Sequence, residues 1–321
     1  MIVVLQRNLA NFHLADVFEE SRRSGAFAYE LRWEDLVTVS EANDVAVVVP
    51  GTHVISAEYI RKLHEAFPRL SHIALPMTGD DGLDKQECAD RGIGFSKVQG
   101  YSTEEMAEYA ETLALSLRHE IVPKALAMQN GKWDDKPTVE IRGTRVGILG
   151  LGAIGMATAA RFARRGCTVV GWNRSVKEGF ARLGGRQVPL GELFATAEIL
   201  LVHLPVVRGE GGTEGIVSEK LIATMGKIDF VNVSRADLVD GDALLAAVLD
   251  QRLHGAALDV FLPEPPFGAG NAWARLCSLD PGRYNLICQP HMGFKKRGAL
   301  RRLADGVLAN ISSLRPAQEN E

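Results

Sequence analysis

A glycine-rich segment in the middle of the chain has the spacing of a phosphate-binding turn. It reads Gly150-Leu151-Gly152-Ala153-Ile154-Gly155, directly after the apolar run Arg145–Leu149 and directly before a helical run. In such a segment Gly150 makes the tight turn, Gly152 lets the backbone approach a pyrophosphate, and Gly155 lets the helix pack against the strand. The anion then meets unpaired N–H groups at the positive end of the helix. The whole strand–turn–helix pattern therefore predicts a dinucleotide site, and a purely helix-packing glycine cluster is the alternative.

The residues after the next strand indicate which dinucleotide is bound. A site that prefers NAD usually carries an acidic residue there, which accepts hydrogen bonds from the ribose 2′-OH. This chain has Asn173, followed by Arg174 and Ser175, with Lys177 close by. A guanidinium can pair bidentately with a 2′-phosphate, whereas a carboxylate would repel it. We therefore expect NADP in preference to NAD; the alternative is that Arg174 and Lys177 are solvated surface charges.

Three further segments place chemically active residues after later apolar strands. They are Val231–Ala236 (VNVSRA), Leu258–Pro265 (LDVFLPEP) and Gln289–Gly293 (QPHMG). Together with the glycine turn, this ordered set resembles the D-2-hydroxyacid dehydrogenase family. The resemblance covers nearly the whole chain, including the segments Thr78–Asp84 (TGDDGLD) and Gly131–Trp133 (GKW).

The resemblance implies a catalytic set of Arg235, Glu264 and His291. Arg235 would pair with the carboxylate of a 2-oxo acid and polarise its carbonyl oxygen. His291 would protonate that oxygen as a hydride arrives from the nicotinamide, and would act as the base in the reverse direction. Glu264 would contact the imidazole, fix its tautomer and favour its protonated form.

The resemblance also implies contacts with the substrate and the cofactor. Backbone N–H groups around Thr78 and Gly79 would hold the substrate carboxylate, and Asp259 would bind the carboxamide or ribose region of the cofactor. His53 is a candidate cleft residue, and a structural role is the default for the histidines outside these motifs. The remaining implied cofactor contacts, beyond Gly150, Gly152 and Asn173–Ser175, are Ala153, Ile154, His203, Leu204, Pro205, Ser234 and Gly293.

Three segments depart from the family pattern. Ala236 replaces the glycine that usually follows the arginine. The loop at 206–213 is a few residues longer than usual, and is either a mobile flap near the cofactor or a plain surface loop. Phe294-Lys295-Lys296-Arg297 replaces small residues, and cations at a helix N-terminus oppose the macrodipole. They either attract an acidic substrate or the cofactor phosphate, or form a solvated helix start.

Other activities of the same fold remain as alternatives. A nucleotide-sensing protein like the dehydrogenase-related co-repressors can retain the same three residues, because fold alone does not settle function. A phosphite-type dehydrogenase uses a similar set. Formate oxidation fits poorly because that relative carries Gln where this chain has Glu264. Phosphoglycerate oxidation is doubtful because the segment at 50–53 lacks an arginine.

The elements that must position these residues are strands and helices in alternation, the signature of a parallel α/β sheet. The resemblance implies two domains: a Rossmann-type doubly wound cofactor domain at 99–292, and a smaller flavodoxin-like α/β substrate domain at 1–98 and 293–321. Two crossings between them lead us to expect hinge closure over the substrate. A long helix predicted at 102–128, with the Trp133 segment, resembles the family's dimer arm, so we expect a homodimer.

Composition excludes several other classes of protein. Of 321 residues, 46% are hydrophobic and 24% charged, and the formal net charge is −4. So slight an acidic balance offers no global attraction to nucleic acid or to anionic lipid. Apolar runs stay well below the roughly 18 residues of a membrane span. Four cysteines without metal-ligand spacing, and an N-terminal apolar run too short for a signal peptide, predict a cytoplasmic protein with a small-molecule substrate and no metal.

Overall fold

The computed structural model describes residues 2–6, 30–34, 45–51, 54–268 and 270–314, so His53 lies outside the described residues. The chain divides into two compact units, Met1–Ser102 with Lys296–Glu321, and Thr103–Lys295. The sequence-based division, after residues 98 and 292, lies a few residues earlier at both crossings. The second unit extends to Lys295 because the backbone N–H groups of Met292 and Gly293 are bound to Asp259 in that unit. The role of the first unit as substrate domain stays a prediction.

The first unit contains a five-stranded parallel sheet. Its strand order is β2-β1-β3-β4-β5, the flavodoxin-like order. Ser56 and Asp84 accept hydrogen bonds from the first turns of its two N-terminal helices and so fix where these helices begin. The elements are β1 Ile2–Gln6, β2 Glu30–Glu34, β3 Val45–Val49, α1 Ala57–Ala66, β4 His72–Leu75, α2 Lys85–Asp90, β5 Gly94–Lys97 and the C-terminal helix Arg297–Ser313.

The second unit contains a seven-stranded parallel sheet. Its strands are β6 Arg145–Leu149, β7 Thr168–Trp172, β8 Arg186–Gln187, β9 Ile199–Val202, β10 Asp229–Asn232, β11 Gly255–Leu258 and β12 Leu286–Cys288. The order is β12-β11-β10-β9-β6-β7-β8, which is the Rossmann order extended by one strand. The strands β7 and β8 are added on one side of β6, and the strands from β9 onwards are added on its other side, so the topology switches between β6 and β9. The predicted fold class is therefore confirmed.

Helices cover both faces of this sheet. Along β9 the side chains alternate between two apolar cores: Leu200 and Val202 belong to one, Ile199 and Leu201 to the other. A sheet buried on both faces leaves polar side chains room mainly at the strand ends. The helices are α3 Thr103–Arg118, α4 Ile121–Gln129, α5 Ala153–Arg164, α6 Glu178–Arg182, α7 Leu190–Thr196, α8 Glu219–Ile222, α9 Gly241–Leu249, α10 Ala272–Ser278 and α11 Pro281–Tyr284.

The prediction of one long helix over 102–128 is wrong. The structure has two helices, α3 and α4, separated at Glu120, which adopts a left-handed conformation with φ of 49°. Pro123 gives the reason. In a continuous helix its ring would clash with the carbonyl group of residue 119, whereas in the first turn of α4 its missing N–H leaves no bond unmade.

Two strands have sequences that do not by themselves predict a strand. β2 has the sequence ELRWE, which is too rich in charge to read as a buried strand, and it pairs with β1 at the edge of the first sheet. β8 has only two residues and pairs with β7 at the edge of the second sheet. Among the described residues, no helix has the length and apolar character needed to cross a membrane.

Candidate active site

The site residues predicted in the second unit all follow the carboxyl ends of parallel strands, so they share one edge of the sheet. β10, β11 and β12 are neighbours, and they carry Arg235, Asp259 and His291 respectively. Because adjacent strands lie about 4.8 Å apart, the ends of β10 and β12, which precede Arg235 and His291, are two strand spacings or roughly 10 Å apart. Two side chains can reach a small substrate across that distance.

The glycine turn is closed on one side and open on the other. Gly150 has φ of 105°, and a Cβ there would lie 2.7 Å from the carbonyl oxygen of His203. A Cβ at Gly155 would lie 1.9 Å from the carbonyl oxygen of Gly150. A Cβ at Gly152, in contrast, would meet none of the described atoms within 4 Å. The open face at Gly152 therefore leaves space for a ligand to approach the backbone.

Helix α5 begins directly after this open face. Gly152 is its N-cap residue, and the uncharged residues Ala153 and Ile154 form its first turn. The backbone N–H groups of a first helical turn have no intrahelical partners, and the helix dipole favours negative charge there. The turn thus has the features that a pyrophosphate requires, and the binding of one there stays a prediction.

His203 presents a buried polar atom at the same place. It follows β9, beside β6, where the strand order reverses. Its Nε2 has no hydrogen-bond partner among the residues that the structure describes. Burial lowers the pKa of His203 to about 4, so the imidazole is neutral at physiological pH. An unsatisfied buried nitrogen next to the glycine turn fits a polar group of a bound dinucleotide.

The segment after β7 is tied to the glycine turn. Asn173 accepts a hydrogen bond from the backbone N–H of Leu151 at 3.1 Å and donates to the carbonyl oxygen of Ser175 at 3.1 Å. Arg174 is exposed and donates to the carbonyl oxygen of Gly211 at 2.9 Å. An amide therefore occupies the place of the acidic residue, and a cation stands directly beside it.

The loop at 206–213 folds back on itself. The hydroxyl of Thr213 accepts from the backbone N–H of Val207 at 2.8 Å and donates to the carbonyl oxygen of Pro205 at 2.5 Å. Thr213 itself is buried. One threonine thus joins both ends of the loop, which reaches Arg174 through Gly211.

Arg235 is supported by buried polar groups at the end of β10. Asn232, fully buried, donates to the carbonyl oxygen of Arg235 at 2.9 Å and accepts from the backbone N–H of Ser234 at 3.0 Å. The Ser234 hydroxyl donates to the carbonyl oxygen of Leu204. The Arg235 guanidinium donates to the carbonyl oxygen of Ser234 at 2.9 Å. Ala236 is accommodated in a buried 3-10 turn, Ala236–Leu238.

The histidine and its carboxylate partner form a directly bonded pair. Nδ1 of His291 lies 2.8 Å from Oε2 of Glu264, while Oε1 of Glu264 accepts from the backbone N–H of Phe261 at 3.0 Å. Because Nδ1 is bound to the carboxylate, Nε2 is the ring nitrogen that would exchange a proton with a substrate. His291 has φ of 53°, a left-handed conformation that the surrounding contacts must maintain.

Asp259 has a role that sequence reasoning missed. It is 1% exposed, and its Oδ1 accepts from the backbone N–H of Met292 at 2.8 Å and from the hydroxyl of Tyr109 at 3.1 Å. Its Oδ2 accepts from the backbone N–H of Gly293 at 2.9 Å. Burial raises the pKa of the Asp259 carboxyl. The carboxylate therefore organises the loop after His291, and its predicted cofactor contact stays a prediction.

Two supporting residues, Asn232 and Tyr109, were missed for different reasons. Asn232 was detectable, because an amide inside the apolar run Phe230–Val233 signals a buried polar group with a specific partner. Tyr109 had no such signal, since it is 150 residues away from Asp259 in sequence.

The predicted substrate contacts Thr78 and Gly79 belong to the first unit. They follow β4, and the Thr78 hydroxyl donates to the carbonyl oxygen of Val98 at 3.0 Å. Their contact with a substrate stays a prediction.

The segment after Gly293 places an aromatic ring beside the histidine. The Phe294 ring lies edge-on to the His291 ring, with 5.5 Å between centroids. Lys295 donates to the carbonyl oxygen of Pro290 at 3.2 Å, and its ammonium lies 5.7 Å from the Phe294 ring centroid. Lys296 is the N-cap residue of the C-terminal helix and is exposed. The proposed attraction of anions by these cations stays a prediction.

The fold and site together define a class of protein. A doubly wound sheet with a dinucleotide turn, an arginine and a carboxylate-bound histidine on one edge is the arrangement of a nicotinamide-dependent oxidoreductase. Residues 112–293 match the family described as "D-isomer specific 2-hydroxyacid dehydrogenase, NAD binding domain". The chain therefore belongs to the D-isomer specific 2-hydroxyacid dehydrogenase family, and it is an enzyme that uses a nicotinamide cofactor.

Curated relatives and solved structures agree with this membership. The chain is 30% identical to the hydroxypyruvate reductase of Thermotoga maritima over 284 residues, which cover 88% of each chain. It is 29% identical to the glycerate dehydrogenase of Methylorubrum extorquens over 297 residues, covering 89% of this chain and 87% of that one. The D-lactate dehydrogenase of Aquifex aeolicus, solved with NAD and lactic acid, shares the fold with a TM-score of 0.81 at 20% identity, covering 97% of this chain and 94% of that one.

Proposed function

We propose that the enzyme reduces a short 2-oxo acid, of the glyoxylate or hydroxypyruvate type, to the D-2-hydroxy acid with NADPH. The observation that carries this proposal is the 2.8 Å hydrogen bond between His291 and Glu264, on the sheet edge that also carries Arg235 and the glycine turn. The names of the two curated relatives support the substrate class. The stereochemistry follows from the family.

Each of the three side chains has a defined role in this reaction. Arg235 pairs with the substrate carboxylate and donates to the carbonyl oxygen, which makes the carbonyl carbon more electrophilic. His291 delivers a proton from Nε2 to that oxygen and takes it back in the reverse direction. Glu264 orients the imidazole through its bond to Nδ1. The nicotinamide ring, when bound, supplies or accepts the hydride.

The cofactor would be held along the carboxyl edge of the sheet. The N–H groups at Gly152, Ala153 and Ile154 would bind the pyrophosphate, and Arg174 with Ser175 would bind a 2′-phosphate. The predicted contacts of Leu204, Pro205, Ser234, Asp259 and Gly293 remain part of this proposal.

The preference for NADP rests on Asn173, which stands directly after β7 in place of an acidic residue, and on the guanidinium of Arg174 beside it. The ratio of kcat/KM for NADPH to that for NADH tests it. We expect a ratio above one in the natural protein and a loss of roughly tenfold in Arg174→Ala, because a charge-assisted pair with the phosphate is removed. Arg275→Ala, an exposed arginine on α10, is the matched control. An unchanged ratio in Arg174→Ala would contradict the assignment.

A homodimer and a cytoplasmic location are further parts of the proposal. In α4 every side chain is at least partly exposed, although the sequence is apolar; Ile121 is 56% and Met128 55% exposed. Trp133, shortly after this helix, is 79% exposed. Apolar surface of this kind is typical of a protein interface. The four cysteines, all free, support a reducing compartment.

The decisive experiment is a substrate panel. Oxidation of NADPH and of NADH is followed by absorbance with glyoxylate, hydroxypyruvate, pyruvate and bulkier 2-oxo acids. Reduction of NADP⁺ and of NAD⁺ is followed in the same way with phosphite as the substrate. We expect turnover on short 2-oxo acids. Tight cofactor binding without turnover on any substrate would favour a nucleotide sensor. Turnover on phosphite alone would favour a phosphite-type dehydrogenase.

A further inference from the structure

Helix α3 contacts the loop that carries His291 through two residues one turn apart. The Tyr109 hydroxyl donates to Oδ1 of Asp259 at 3.1 Å. Met106 lies against Gly293, where an added Cβ would come within 2.7 Å of the methionine sulfur. The same helix face thus supports the loop both by packing and by a hydrogen bond.

Asp259 transmits the contact with Tyr109 to the histidine. Its two oxygens accept the backbone N–H groups of Met292 and Gly293, the two residues that directly follow His291. These bonds hold the chain at the point where His291 adopts its left-handed conformation. A shift of the Asp259 carboxylate would therefore move the backbone that orients the imidazole.

We propose that Tyr109 is a positioning residue for His291, acting through Asp259 on the loop at 291–293. The proposal rests on the proposed function only in giving His291 the role of proton donor. Tyr109 itself need not touch either the substrate or the cofactor.

The protonation states of both groups support this arrangement. Burial raises the pKa of the Tyr109 phenol, so it remains protonated and can donate. Burial also raises the pKa of Asp259, while the bonds from Met292, Gly293 and Tyr109 lower it. Loss of the Tyr109 bond would therefore raise the pKa of Asp259 further. A protonated Asp259 loses acceptor capacity towards the two backbone N–H groups.

The direct test uses the cofactor-free protein. Tyr109→Phe keeps the ring and removes the hydroxyl, and hydrogen exchange by mass spectrometry reports the peptide that contains residues 292 and 293. We expect exchange of this peptide to become roughly tenfold faster, the size expected for one hydrogen bond to a charged group. Tyr284→Phe is the control, because it makes the same change on α11, which precedes β12 and so lies at the amino ends of the strands. Unchanged protection in Tyr109→Phe, or an equal loss in Tyr284→Phe, would overturn the proposal.

Kinetics provide a second, separate readout. In Tyr109→Phe we expect kcat to fall roughly tenfold, with the dissociation constant of the cofactor within about twofold of the natural value. The acid side of the kcat profile should move to higher pH, because the pKa of Asp259 rises. In an Asp259→Asn background the tyrosine substitution should have no further effect. Additive effects would contradict the transmission through Asp259.

If the natural protein reduces no 2-oxo acid, the proposed function fails, while the exchange experiment still decides the role of Tyr109.

Discussion

Nδ1 of His291 lies 2.8 Å from Oε2 of Glu264, and the other oxygen of the same carboxylate is bound to the backbone of Phe261. Both oxygens of Glu264 therefore have a hydrogen-bond partner, and the two bonds together restrain the orientation of the carboxylate. Since an amide offers only one acceptor oxygen, glutamine cannot reproduce both bonds.

Glu264→Gln should lower kcat/KM for 2-oxo acid reduction by roughly 100-fold, the lower end of the range for general acid–base catalysis, because His291 itself is retained. The cofactor dissociation constant should change little, because the substitution acts on the imidazole. Steady-state kinetics and a cofactor titration measure the two quantities. Glu210→Gln, on the exposed loop at 206–213, is the control. Activity within twofold of the natural value would show that Glu264 does not orient His291.

Alanine substitutions at two glycines of the same turn should affect different properties, cofactor binding at Gly152 and stability at Gly155. Gly152→Ala should leave the thermal midpoint nearly unchanged, because a Cβ there has open space, but should weaken cofactor binding by tenfold or more, about 1.4 kcal/mol. Gly155→Ala should lower the free energy of unfolding by about 3 kcal/mol, because its Cβ would overlap the carbonyl oxygen of Gly150. Thermal unfolding and cofactor titration of both variants separate the effects. Equal loss of stability in the two would refute this reading of the turn.

His203 should make the fold sensitive to acid. Its pKa is lowered from 6.5 to about 4 by burial, so between these values the unfolded chain binds a proton that the folded chain does not. The free energy of unfolding should therefore fall as pH decreases from 6.5 towards 4, by up to about 1.4 kcal/mol for each pH unit. His203→Asn should flatten this part of the pH dependence, measured by denaturant titrations. An identical slope in the variant would contradict the assignment.

His254 should have the opposite effect. Its Nδ1 lies 2.6 Å from Oδ1 of the fully buried Asp229, and its Nε2 lies 3.3 Å from Oε1 of Glu120. The bond to Asp229 is the main cause that raises the pKa of His254 above 6.5. The stabilisation is therefore complete below pH 6.5 and is lost as pH rises through the higher folded pKa.

In His254→Gln the free energy of unfolding should no longer fall as pH rises through the pKa of His254. At pH 6 it should be lower than in the natural protein by about 2 kcal/mol, the size of a hydrogen bond to a charged group. The same denaturant titrations, run from pH 6 upwards, measure it. His119→Gln, at the end of α3, is the control. If His254→Gln were as stable as the natural protein at pH 6, the Asp229 contact would have no energetic role.

Local patterns predicted most of the second sheet, because each of its longer strands is a short apolar run between helical segments. They also predicted the glycine turn, whose geometry depends on neighbouring residues only. The break at Glu120 was missed although Pro123 stood in the sequence, because the apolar spacing continues across it. β2 was missed because its charged sequence becomes a strand only by pairing with β1.

The sequence alone therefore determined the family, the order of the motifs and the types of the reactive side chains, since these depend on residues close together in the chain. The family resemblance already implied the contact of Glu264 with His291. Only the tertiary structure decided two other pairs: Asn232 with Arg235, and Tyr109 with Asp259. The physical reason is that parallel strands distant in sequence end at one edge of the sheet. The separation of two residues there depends on the strand order and on helix packing, which the local pattern of either residue does not contain.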